Sequence, residues 1–181
     1  MCRPLVNKII LCFSFQFIVL NICAQNAQKT DLTSWTGTWK GSLNINNADG
    51  KTLRVPMTLD IKATDSTNRY SWTIIYGEGK NMQIRPYELL DKGNGQLAID
   101  EKNSIVLDAF LLGNTLVTRF EVKGSMLMIT YQLLESQNQI IFRVYSGKHK
   151  PLNTTGGDKK VPVVKTYPLG VMQEAYLKKN T

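Results

Sequence analysis

Between residues 35 and 147, apolar, β-branched and aromatic side chains recur at every second position in short runs. The clearest run is 52–62, where Leu53, Val55, Met57, Leu59 and Ile61 alternate with Arg54, Pro56, Thr58 and Asp60. A period of two predicts a strand with one buried and one wet face. Pro56 falls on the polar register and cannot donate to a ladder, which predicts a bulge or an edge there. The same period returns in Tyr70, Trp72, Ile74 and Tyr76, in Leu116, Thr118, Phe120 and Val122, and in Ile140, Phe142 and Val144.

Short clusters separate the runs: Asn46 to Gly50, Asp65 to Asn68, Lys92 to Gly95, Glu101 to Asn103, Gly113-Asn114 and Lys123-Gly124. They are rich in residues that tolerate positive φ, so neighbouring strands are expected to be antiparallel and joined by tight turns. Roughly eight to ten strands are too many to leave as an open sheet with two bare edges. An all-β, antiparallel up-and-down barrel is the expected fold, with a sandwich as the alternative.

After Gly147 the pattern stops. Lys148-His149-Lys150-Pro151 and the polar stretch 153–158 read as a linker. Residues 168–179 predict a short helix outside the barrel, with Pro168 in its first turn and Leu169, Met172, Ala175 and Tyr176 on one face. The expected organisation is a signal peptide (1–24), an N-terminal linker (25–34), a barrel (35–148) and a C-terminal linker with a helix (149–181).

The signal peptide rests on Arg3 and Lys8 ahead of the apolar stretch 9–20 and on the small Ala24 before Gln25. Export to a periplasmic or extracellular location follows as the expectation. No later stretch reaches the roughly 20 apolar residues that a spanning helix needs. All three cysteines, Cys2, Cys12 and Cys23, lie in this leader, so cleavage leaves no thiol. Lipidation of Cys23 is the alternative, disfavoured by the large Ile22 before it. Losing Arg3 and Lys8 leaves 20 basic against 14 acidic side chains, a formal charge of +6 instead of +8. The excess is mild and gathered at the tail, so no nucleic-acid partner is expected.

The mature chain carries one histidine, His149, and no cysteine, which removes the usual parts of a zinc site or a Ser-His or Cys-His catalytic pair. No metal or cofactor is expected. Glu78, Glu88, Asp100, Glu101, Glu121 and Glu135 supply carboxylates, but their spacing selects no acid-base pair, and Glu101 reads as part of a hairpin turn.

Gly37-Thr38-Trp39-Lys40 in the first strand resembles the G-x-W opening of lipocalins and the G-T-W-K opening of fatty-acid-binding proteins. Arg143-Val144-Tyr145 in the last run of the meander resembles the R-x-Y element with which many fatty-acid-binding proteins hold a ligand carboxylate. Arg119 lies where that family often places a second basic residue. The resemblance implies a calycin-like barrel, with Gly37 and Trp39 as structural closure and Arg143, Tyr145 and Arg119 at a ligand's polar head. Arg85 and Tyr87 are further candidates for that head.

Arg143 keeps a second reading, as a structural plug stacked on Trp39. Tyr70, Trp72 and Tyr76 read as core filling or as ligand wall. The expected function is a monomeric, non-catalytic protein that binds a small apolar or amphiphilic molecule inside the barrel. The alternatives are an interaction module with a filled interior and an enzyme using carboxylates at the barrel mouth.

Overall fold

The computed structural model describes residues 30–180, so the expected signal peptide, the three cysteines and Gln25 lie outside the described residues. Its strands are β1 (Gly37–Asn47), β2 (Thr52–Ala63), β3 (Arg69–Tyr76), β4 (Gln83–Asp91), β5 (Gln96–Asp100), β6 (Val106–Leu112), β7 (Thr115–Val122), β8 (Ser125–Leu134), β9 (Gln139–Lys148), β10 (Asn153–Thr155), β11 (Val164–Thr166) and β12 (Val171–Lys179). Ten of them close into one barrel in the order β1, β12, β9, β8, β7, β6, β5, β4, β3, β2, while β10 and β11 form a separate hairpin. The expected antiparallel barrel is the observed fold.

The alternation places side chains as the period of two requires. In β2, Met57, Leu59 and Ile61 are buried while Arg54, Pro56 and Lys62 are exposed. Leu53 departs from the pattern at 58% exposure, because it sits in the β1–β2 hairpin beyond the packed interior. No bulge forms at Pro56: the β1–β2 register runs unbroken from Gly37↔Ile61 to Asn46↔Thr52. The Pro56 carbonyl accepts from Gly77 N–H at 2.9 Å, just past the end of β3. Its missing donor therefore points where the β2–β3 ladder has already stopped. The turns behave as their composition demands, with Asn94, Lys102 and Lys123 at φ of 55°, 60° and 49°.

A larger expectation is also overturned. Residues 171–179 form strand β12, which pairs with β1 on one side and β9 on the other, so the barrel extends well beyond residue 148 and the helix expected over 168–179 does not form. Ala175 and Leu177 are buried and Gln173 lines the interior, whereas Tyr176 is exposed. A small and a polar residue on the inner face, with Met172 and Tyr176 outside, hide the alternation and imitate a helical stripe. Closure decides the matter, since without β12 the ladders of β1 and β9 would end in unpaired backbone groups.

The two ends differ. At one end Leu32 and Trp35, carried by the short 3-10 turn Thr33–Trp35, fold into the barrel. Trp39 is buried there and its indole N–H donates to the Trp35 carbonyl at 2.9 Å. Aromatic packing runs inward from this plug: Trp35 to Trp72 (ring centroids 6.0 Å apart), Trp72 to Tyr131 (5.2 Å, edge to face) and Tyr131 to Phe142 (5.1 Å). Gly37, at φ 134°, opens β1 in a backbone conformation that side chains rarely adopt. The outward positions of β1 and β2, including Lys40, Asn44, Arg54 and Lys62, are polar.

Candidate functional site

Past the aromatic plug the interior is not filled. A chamber of about 190 Å³ opens among Ile74, Ile99, Leu107, Leu127, Ile129 and Val144, with Tyr76, Tyr87, Tyr131, Glu101 and Gln173 as its polar groups. It adjoins a wider mouth cleft of about 400 Å³, to which Tyr76 and Gln173 also belong. The enclosed part alone is smaller than the roughly 300 Å³ of an ordinary ligand pocket, but chamber and mouth together reach that range.

Strand ends position the polar groups. Tyr76 is the last residue of β3, and Tyr87 stands on β4 across from Trp72. Glu101 follows β5 and begins the tight turn to β6, where its N–H donates to the Ile105 carbonyl at 3.0 Å. The turn reading of Glu101 is therefore correct, and the residue also lines the chamber. Gln173 enters from β12, next to Val144 of β9 and Ile45 of β1.

Burial pushes the Tyr76 phenol up to about 12, with Tyr87 adding to the shift and Arg85 opposing it. Burial raises Tyr87 as well, reinforced by Glu101. Tyr131 is driven well above the ordinary phenol range by burial, with Tyr76 adding and Trp72 opposing. The Trp72 indole N–H faces Tyr131 yet closes no hydrogen bond of standard geometry. These phenols stay protonated at neutral pH and offer neutral donors and acceptors in an apolar setting.

The candidate residues read from the sequence divide into four places. Tyr87 lines the chamber, and Arg85, paired with inward-facing Ile74 and near enough to Tyr76 and Tyr87 to oppose the rise of both phenols, stands exposed at its rim. Trp72 and Tyr70 lie in the closed half as core: Trp72 is fully buried between Trp35 and Tyr131, and Tyr70 is buried near Asp31 and Asp91. Of the aromatic face, Tyr76 is wall and the other two are filling.

Arg143 and Tyr145 are not in the chamber. Ile140, Phe142 and Val144 take the inner positions of β9, so the two residues between and after them face out. Arg143 Nε donates to Glu174 Oε2 at 2.6 Å across the β9–β12 pair, which is neither the ligand anchor nor the plug expected of it. Lys179 of β12 takes the plug position, its ammonium 5.0 Å from the centre of the Trp39 ring. Arg119 and Tyr145 line one groove on the barrel's outer surface, on either side of Met128.

Sequence reasoning missed Tyr131 and Gln173. Tyr131 sits in an apolar run that looks like plain core, and Gln173 lies in the segment read as a helix. Among the residues lining the chamber Glu101 is the only carboxylate, so the acid pair considered for an enzyme finds no second member there.

No protein-family model matches the chain, and no curated protein matches it by sequence. Among solved structures it is similar to a protein of unknown function from the DUF3598 family of Nostoc punctiforme, with a TM-score of 0.59 and 13% identity over 84% of this chain. The chain spans 50% of that protein's length. It is also similar to the S-type phycobiliprotein lyase CPES from Guillardia theta, with a TM-score of 0.53, 10% identity and coverage of 83% of this chain and 90% of the lyase. A looser superposition, with a TM-score of 0.45 and 15% identity, relates 83% of the chain to 99% of a variant of the fluorescent protein UnaG. Identities this low speak for architecture alone, and together with the closed ten-stranded meander they give this chain a calycin-like fold.

Proposed function

We propose that this is an exported, non-catalytic protein that binds one small apolar or amphiphilic molecule in the open half of its barrel. The observation that carries the reading is the chamber itself. An apolar wall converges on a compact polar set, three protonated phenols with Glu101 and Gln173, and leads to the mouth instead of being packed shut. The apolar part of the ligand lies against Leu107, Leu127, Ile129 and Val144. Its head exchanges hydrogen bonds with Tyr76 and Tyr87, and Arg85 at the rim favours a head with acceptor oxygens. Export rests on the leader sequence and its basic start.

Native mass spectrometry of the protein purified from its own host is expected to reveal a co-purified small molecule. Titration with that molecule, or with a fatty acid as a first probe, is expected to change tryptophan fluorescence, because Trp72 touches Tyr131 in the chamber wall. Tyr76→Phe weakens binding by about 1 kcal/mol through one lost hydrogen bond. Arg143→Gln, on the outer surface, leaves it unchanged. A protein that emerges empty and shows no saturable response overturns the reading in favour of an interaction module.

A further inference from the structure

A second concavity lies on the outside of the barrel. Across the sheet, Arg119 of β7 pairs with Met128 of β8, which pairs with Tyr145 of β9; one step further Met126 pairs with Gly147. The chain returning from β11 crosses this face at residues 167–170. The Pro168 carbonyl occupies the space a Cβ on Gly147 would need, so glycine is what lets the crossing segment lie so close. Two further contacts fasten it: Gly170 N–H donates to the Ser146 carbonyl at 2.8 Å, and the Tyr167 ring stacks on His149 at 6.1 Å between centroids. His149 is itself held by Glu121, with Nδ1 2.5 Å from Oε2.

What remains between the segment and the sheet is a groove of about 230 Å³, lined by Met126, Met128, Tyr145 and Leu169 with Arg119 and Lys148 among its walls. Among the described residues neither of these two cationic side chains makes an ion pair or hydrogen bond, although Glu121 nearby is already engaged by His149. We infer that this groove is a binding site, separate from the interior chamber, for a small aromatic anion.

Three features select that class. Two thioethers and a phenol on one side favour a flat ring, since sulfur packs well against aromatic edges. The volume is below the roughly 300 Å³ of a pocket that swallows a whole drug-sized ligand, so it takes one ring system and leaves the head outside. The unpaired guanidinium of Arg119 matches a planar carboxylate or a sulfonate at that exit.

Titration of the full chain, carrying isotope-labelled methionine methyl groups, with naphthoate tests the assignment by NMR. The Met126 and Met128 methyl signals are expected to move and saturate while that of Met57, buried inside the barrel, stays in place. Arg119 is exposed, so Arg119→Gln keeps the fold and is expected to weaken the response about tenfold, with partial recovery in Arg119→Lys. Movement of Met57 alone, absence of saturation, or equal affinity in wild type and Arg119→Gln overturns the inference. Failure of the interior reading leaves this result untouched, because its readout and its variant both lie on the outer face.

Discussion

Trp39 joins three kinds of contact at the closed end: full burial, an indole hydrogen bond to Trp35, and the Lys179 ammonium over its ring. The first two belong to a rigid plug that cannot readily collapse into the space left behind, so Trp39→Ala is expected to cost about 3 to 5 kcal/mol in urea unfolding. A loss under about 1 kcal/mol would remove the plug from the account. Tyr76 makes the opposite kind of statement. Its phenol is neutral in the fold up to about 12, whereas an unfolded chain ionises it near 10. The folded state therefore has its full stability from this residue below pH 10 and loses it as the pH rises from there through 12. Spectroscopic titration of the phenolates is expected to show a late step that Tyr76→Phe removes, and the variant should lose less stability than wild type over the same interval.

At the scale of elements, β12 is the piece on which closure depends, bonded along both edges to strands that are far from it in the chain. Its removal exposes the ladders of β1 and β9 together and uncovers the inner faces of Leu43 and Phe142. A chain ending at Gly170 is expected to lose cooperative unfolding, and a peptide of residues 171–180 supplied in trans should restore part of it. A truncated chain that unfolds as cooperatively as the whole would mean that β1 and β9 can close without it. The β10–β11 hairpin has no such duty: it pairs only with itself, and its strands are exposed.

At the scale of the molecule, the proposed export predicts that the mature protein begins at or near Gln25, which intact-mass analysis of secreted material decides. A mass retaining Met1, or one with acyl chains on Cys23, contradicts it. Most of the barrel is legible in the sequence: alternation in β2, β3 and β9 marks the strands, and positive-φ residues such as Asn94 and Lys123 mark the turns. Both signals are local, because a strand's two faces and a turn's backbone are set by residues a few positions apart. The site was legible only in part. Tyr87 and Arg85 were named and stand at the chamber, but Arg143 and Tyr145 fall on the outer face, since a motif shared with a family carries no guarantee of the same strand register. Tyr131, Glu101 and Gln173 become one polar set only when β8, the β5–β6 turn and β12 are brought around a common axis. The sequence by itself determined the strand period and the turns. Tertiary structure alone decided that residues 171–179 are a strand, which end of the barrel is filled, and which residues share its chamber, because closure and packing depend on contacts between segments that no local pattern records.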